Sequence, residues 1–322
     1  MKKTIYDFLL MSDNDMFKHL NKVVDKNFQE VATDGENYIW GTNKGSKTCL
    51  VAHIDTVCSG GFKDLQTKDG IITNLNGILG ADDRAGCFGV QYIIQKMKDL
   101  PFDVLFTNYE ESGGLGVTEF LKDFEAEFDD SDYTMLIELD RCGVDEYVTY
   151  CELPAEVKLW LAQFKLTKKY GSFSDISCLT DATKLPSINV GIGYYSQHTS
   201  FESLNLKHLL KQLKVIIQMI ENPLDLRYDA SPEDYGWNSY DIASKNAIWK
   251  CDQETGRWYD SSKGEAPKGD GFCRSCGAVL IEDDYCYECH TWEADVINYD
   301  DMLDEEVIYC EGDWTGSKIK SA

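Results

Sequence analysis

The chain has 322 residues, 43% of them hydrophobic, and a formal net charge of −25. That length suits a core domain with an appendage, and the apolar fraction is ordinary for a soluble globular protein. The charge argues against nucleic acid, whose binding rests on Lys and Arg neutralising phosphates, and equally against an anionic membrane surface. After Met1-Lys2-Lys3 the apolar stretch is short, broken by Asp7 and without a small-residue cleavage site, so no signal peptide is expected. No apolar run reaches the roughly 18–20 residues that span a bilayer. The expected setting is cytoplasmic, where the 12 cysteines form no disulfide framework.

In chain order, Phe17, Leu20, Val23 and Val24 place a helical stripe near the start. The β-branched apolar run Thr48 to Ile54 suits a buried strand ending at His53. Residues 84–97 regain helical spacing through Phe88, Tyr92, Ile93 and Met97, and Pro101 marks the exit. Strands are expected at 103–107, 134–139, 145–150 and 187–192. Residues 204–221 form the clearest amphipathic helix, with Leu206, Leu209, Leu210, Leu213, Ile216, Ile217 and Ile220 at three-to-four spacing before Pro223. Strands alternating with helices predict an α/β fold, a mainly parallel mixed sheet flanked by helices, over 1–222.

Beyond Pro223 the composition changes. Residues 223–268 read as an acidic linker containing Trp237, Trp249 and Trp258, with a hairpin over Ala247–Asp260 around Glu254-Thr255-Gly256. Residues 269–322 read as an acidic tail. Together 223–322 hold 23 acidic and nine basic side chains, more than half of the net charge.

The chemistry is concentrated in five short contexts. They are Ala52-His53-Ile54-Asp55-Thr56-Val57, Gly80-Ala81-Asp82-Asp83-Arg84-Ala85-Gly86, Tyr109-Glu110-Glu111-Ser112-Gly113-Gly114, Leu139-Asp140-Arg141-Cys142-Gly143 and Gln197-His198-Thr199. These contexts fall at or just past strand ends or in the loops after them, and open α/β sheets place their ligands at the carboxyl ends of strands. His53, Asp82, Glu111, Asp140 and His198 can hold a pair of zinc ions, one carboxylate bridging, with Glu110 left over to move protons. Gathered without metal, these acids would repel one another and raise their pKa values.

In these elements and their order the chain resembles the co-catalytic dizinc exopeptidases, a family that includes peptidase T, carboxypeptidase-G-like enzymes and related aminopeptidases. The resemblance covers about residues 47–222. It implies that His53 and Asp140 bind one zinc, that Glu111 and His198 bind the other, and that Asp82 bridges them. Asp55 would orient His53, and Glu110 would take a proton from the attacking water and pass it to the leaving amine. A cis peptide between Asp82 and Asp83 is also implied. Cobalt or manganese could replace zinc.

Many relatives insert a lid of about a hundred residues before the last histidine, whereas Asp140 to His198 spans 58 positions here. The layout is that of a compact form without the lid, and Tyr194 or Tyr195 is the candidate for its oxyanion contact. Asp181 in Thr180-Asp181-Ala182 is similar to a family segment near the substrate pocket, although loop capping serves it equally well. Glu138 is a structural residue or a competing ligand. His19 and His208 lie in helical stretches and receive no function.

Cys273-Arg274-Ser275-Cys276 and Cys286-Tyr287-Glu288-Cys289 are two Cys-x-x-Cys pairs nine residues apart. They can wrap one structural zinc as in a small zinc ribbon, with Gly277 allowing the turn. Cys286-x-x-Cys289-His290 also spells a haem attachment motif, but that reading ignores the first pair. The ribbon would either staple the tail or dock a protein partner. The expected function is therefore a metal-dependent hydrolase of short peptides. The alternatives are an N-acyl amino acid deacylase and a non-catalytic binding protein on a peptidase scaffold.

Overall fold

A computed structural model of the chain describes residues 3–232 except 58–62, 98 and 172, and the short segments 249–251, 258–260, 285–286 and 291–292. Two helices come first, α1 (Ile5–Leu10) and α2 (Asp13–Asn27). Each begins where a hydroxyl accepts from an otherwise orphan amide, Thr4 from Asp7 and Ser12 from Asp15. There follow β1 (Glu30–Thr33), β2 (Tyr38–Thr42), β3 (Thr48–His53), β4 (Leu65–Lys68) and β5 (Ile71–Asn74). The alternation continues through α3 (Ala81–Lys96), β6 (Asp103–Thr107), α4 (Leu115–Asp129) and β7 (Met135–Arg141). Next come β8 (Glu146–Val148), β9 (Cys151–Glu152), α5 (Ala155–Ala162), β10 (Thr167–Lys168), α6 (Asp175–Thr183) and β11 (Ser187–Gly191). The main body ends with β12 (Tyr194–Tyr195), β13 (Ser203–Asn205), α7 (Leu206–Glu221) and β14 (Ser231–Pro232).

Eight strands form one sheet in the order β1-β2-β6-β3-β7-β11-β8-β10. The central β6, β3, β7 and β11 are parallel, and antiparallel strands flank them on both sides. This is the mainly parallel mixed sheet expected from the alternation. Successive side chains of a strand point to opposite faces, and the core divides accordingly. Leu50 and Ala52 of β3 pack in one cluster with residues of α1, α2, α3 and α7, while Cys49 and Val51 pack in another with residues of α4 and α6. A strand covered on both faces needs apolar residues throughout, and all six residues of β3 are buried. Parallel register brings the carboxyl ends level, His53 lying opposite Thr107.

The structure departs from the sequence expectations in places. Helix α3 starts at Ala81, earlier than 84, because Asp82 and Asp83 adopt non-helical backbone and the periodic signal begins only after that kink. The strand expected over 145–150 is confined to Glu146–Val148. A second sheet, β12-β13-β5-β4, was not predicted. Its strands are two to four residues long and β4 is largely exposed, so no apolar period marks them.

Residues 249–251 and 258–260 pair antiparallel, Trp249 opposite Asp260, in the region where a hairpin is expected. Tyr285–Cys286 pairs with Thr291–Trp292. Cys273, Cys276 and Cys289 lie outside the described residues, and with them the expected ribbon zinc. Among the described residues, Cys49, Cys87, Cys142, Cys151 and Cys178 form no disulfide. No helix among the described residues is long and apolar enough to cross a membrane.

Candidate metal centre

The carboxyl ends of the parallel strands bring the five expected donors together. His53 closes β3, Asp140 lies near the end of β7, and Asp82 opens α3. Glu110 and Glu111 follow β6, and His198 follows β12. His53 Nε2 is 3.1 Å from Asp82 Oδ1 and 3.3 Å from Asp140 Oδ1. His198 Nε2 is 3.1 Å from Asp82 Oδ2 and 2.8 Å from Glu111 Oε1. Asp82 thus turns one oxygen to each of two donor sets. Ligands bound at about 2.0–2.1 Å around a tetrahedral zinc lie about 3.3 Å from one another, and the four imidazole–carboxylate distances match that spacing.

Burial separates the two sides. The side chain of His53 is 1% exposed and that of His198 is 26% exposed. Asp83 also lies near His53 and Asp140, but its oxygens accept from the His53 and Gly86 amides at 3.2 and 2.9 Å. It supports the site rather than facing into it. The Asp82–Asp83 peptide is cis, in accord with the resemblance. Tyr109 and His198 have φ of 63° and 62°, an uncommon conformation for such residues that gathers at functional sites.

Several side chains hold this arrangement. Asp55 accepts from the Glu110 and Glu111 amides at 3.0 and 3.1 Å. Its Oδ1 also lies 3.3 Å from His53 Nδ1. The geometry leaves Nδ1 without a formal hydrogen bond, and Asp55 is the carboxylate that faces this second ring nitrogen. Asn189 brackets Asp140, its Oδ1 accepting from the Asp140 amide at 3.0 Å and its Nδ2 donating to the Asp140 carbonyl at 2.9 Å. Ser174 Oγ donates to Glu138, which is fully buried two residues before Asp140. Glu138 therefore sits behind the donors, in a structural place.

Tyr194 is buried, and its hydroxyl donates to Asp140 Oδ1 at 3.2 Å. Tyr195 instead pairs its hydroxyl with His208 Nδ1 at 2.5 Å, which leaves Tyr194 as the member of the pair at the site. Hydrogen bonds to charged groups contribute about 1.5–3 kcal/mol. Tyr194→Phe is therefore expected to weaken metal binding about 10-fold or more with the fold intact, as read by calorimetric titration. Unchanged affinity would remove Tyr194 from the support of Asp140.

Asp181 lies inside α6, not in a loop, and its backbone carbonyl accepts from Lys184. The acid of α6 that enters the site is Asp175, which accepts from Thr107 Oγ1 at the end of β6. His19 pairs with Gln91 at 2.5 Å. Sequence reading missed Asp175, Ser174, Asn189 and Glu202. A signal existed for Asn189, since a polar residue inside the apolar strand Ser187–Gly191 must find a partner. None marked Glu202 within its polar loop.

The electrostatics express one conflict. Burial, together with Glu111, Asp140 and Asp175, pushes Glu110 well above the ordinary carboxyl range despite the opposing His53. Burial and the charge of Asp82 push Asp140 up to about 6, and burial pushes Glu111 up against the pull of His198. Burial would lower both imidazoles, but Asp140 overcomes it at His53 and Glu111 at His198, so both stand well above their usual value. Carboxylates outnumber imidazoles, and divalent cations resolve such crowding. The donor set fits a metal pair in both chemistry and spacing.

No family model and no curated protein matches the chain. Among solved structures, a tripeptidase from Staphylococcus aureus subsp. aureus Mu50 is similar with a TM-score of 0.54 at 15% identity, over 68% of this chain and 96% of the other. Aminopeptidase PepT from Bacillus cereus ATCC 10987 gives 0.51 at 16% identity, over 67% and 96%. The TET1 peptidase of Pyrococcus horikoshii gives 0.50 at 11% identity, over 67% and 99%. The chain shares the fold of these peptidase structures, a mainly parallel mixed sheet flanked by helices. At these identities the likeness describes architecture and leaves the chemistry to the residues themselves.

Proposed function

We propose that this protein is a metal-dependent peptidase acting on the ends of short peptides, with Glu110 as general base. One observation carries the reading: two donor sets, each with an imidazole, share the two oxygens of Asp82. His53, Asp140 and one Asp82 oxygen would hold one cation, and Glu111, His198 and the other oxygen the second. Zinc, or cobalt or manganese in its place, would supply Lewis-acid activation of water and polarisation of the scissile carbonyl.

The chain's own groups do the rest. Glu110 accepts the proton of the attacking water and delivers it to the leaving amine. Asp55 grips the amides of Glu110 and Glu111, so base and donor move as one unit. The cations nearest the site are engaged elsewhere. Arg84 bonds the Met11 carbonyl and Asp13, Lys63 the Leu9 and Leu79 carbonyls, and Arg141 Glu146. Cations engaged in this way do not offer themselves to a substrate carboxylate, which favours peptides recognised through a free α-ammonium.

The test is a panel of aminoacyl amides, dipeptides, tripeptides and their N-acetyl forms, offered to the zinc-loaded full chain. Turnover of free-amine peptides is expected, abolished by a chelator and restored by zinc. Turnover confined to N-acyl amino acids would make the protein a deacylase. Two bound site metals without any turnover would make it a binding protein.

Metal removal should also lower Tm, since a ligand at 100-fold its Kd stabilises by about 2.7 kcal/mol. A third zinc per chain is expected at Cys273, Cys276, Cys286 and Cys289, as a staple or a protein-docking ribbon. Thiolate-to-cobalt absorption reports that site.

A further inference from the structure

Glu202 lies four residues past His198 and is 1% exposed. Its Oε2 accepts from the Gly80 amide at 2.6 Å, and its Oε1 accepts from the Ala81 and Asp82 amides at 2.7 and 3.1 Å. These successive amides open α3, whose N-cap Gly80 carries no side chain to satisfy them. The group that satisfies these amides, which precede the non-helical Asp82–Asp83 kink, therefore arrives from more than a hundred residues away.

The other end of this link is equally firm. The Glu202 amide donates to the Thr199 carbonyl at 3.1 Å, and Thr199 Oγ1 donates to the Ser196 carbonyl at 2.7 Å. His198 sits within that braced turn. The Gly80 backbone is hemmed in as well, because a Cβ there would stand 3.0 Å from Thr56 Oγ1 and from Lys63 Nζ. One carboxylate thus ties the turn bearing His198 to the loop bearing Asp82.

We infer that Glu202 is a positioning residue that sets the separation of Asp82 and His198, and with it the affinity of the cation site those two share with Glu111. The inference rests on the metal-pair reading proposed above. Asp82 and His198 come from elements with no direct covalent continuity, so their spacing needs a strut. The His53 and Asp140 side is braced separately by Asn189 and Tyr194. Asp82 belongs to both donor sets, whereas only His198 is carried on the turn that holds Glu202, so loss of Glu202 acts most strongly on the His198 side.

The experiment compares the wild-type full chain with Glu202→Gln and Glu202→Asp. Gln keeps the shape but turns an NH2 toward N–H donors, whereas Asp keeps the charge and falls short of the three amides. Each metal-free protein is titrated with cobalt(II), followed by calorimetry and by d–d absorption, and Tm is measured alongside. Glu202→Gln is expected to bind one cation about 10–100-fold more weakly and the other with a clearly smaller loss. Glu202→Asp should fall between, and it carries the test if the Gln variant fails to fold.

A lower Tm with both affinities unchanged would show a merely structural contact and overturn the inference. Equal weakening of both cations would overturn it too. A wild-type chain that takes up no cation pair outside its thiolate site would fell the metal-pair reading itself, a result distinct from the other two.

Discussion

Glu110→Gln is expected to lower kcat about 10²–10⁴-fold while the fold and the metal content stay intact. Gln keeps the size and backbone of the residue, so the Asp55 bonds to the Glu110 and Glu111 amides survive. It cannot accept a proton. Glu110 contributes to neither donor triangle, so titration calorimetry should return wild-type metal affinities. The pH profile gives a second readout. Burial, with Glu111 and Asp140, raises Glu110, and a base must be deprotonated to act, so activity should rise with pH through its pKa. That acid limb should vanish in the variant. Full turnover in a metal-loaded Glu110→Gln protein would end the general-base assignment.

Gly86→Ala is the second large effect, and it falls on stability first. A Cβ at Gly86 would lie 2.0 Å from the Leu139 carbonyl oxygen and 2.4 Å from both carboxylate oxygens of Asp83. Neither neighbour is free to give way. The carbonyl belongs to β7 immediately before Asp140, and Asp83 is pinned by the His53 and Gly86 amides. Overpacking of this kind costs about 3 kcal/mol at the upper end of its usual range. For a domain of this size that corresponds to a fall in Tm of roughly 6–12 °C, measurable by thermal or urea melts of the metal-free protein. Metal affinity should fall with it, because β7 must shift the residue that carries Asp140. A Tm equal to wild type would mean that α3 and β7 sit farther apart than the structure places them.

Both substitutions fall in stretches whose chemistry is local, and that locality explains how much was legible beforehand. The apolar run at Thr48–His53, the spacing of Leu209, Leu213, Ile216 and Ile220 in α7, and the alternation of strands with helices all reside within windows of a few residues. So do the donor-bearing contexts at the strand ends, since a strand terminus, its polar loop and the next helix are neighbours in sequence. The start of α3 was less legible, because Asp82 and Asp83 leave helical geometry in its first turn. The choice between Asp175 and Asp181 was not legible at all. Both belong to α6, and the packing of that helix beside the end of β6 decides that Asp175 reaches Thr107.

The sequence by itself determined the layered α/β architecture and the types of donor available, because periodicity and side-chain chemistry are short-range properties. Tertiary structure alone decided that Asp82 offers one oxygen to each imidazole, that Asn189 and Tyr194 steady Asp140, and that Glu202 binds the amides of Gly80, Ala81 and Asp82 across more than a hundred residues of chain. These contacts depend on which strand ends come level when β6, β3, β7 and β11 align in register. That alignment is set by the packing of whole layers, and no local window of residues encodes it.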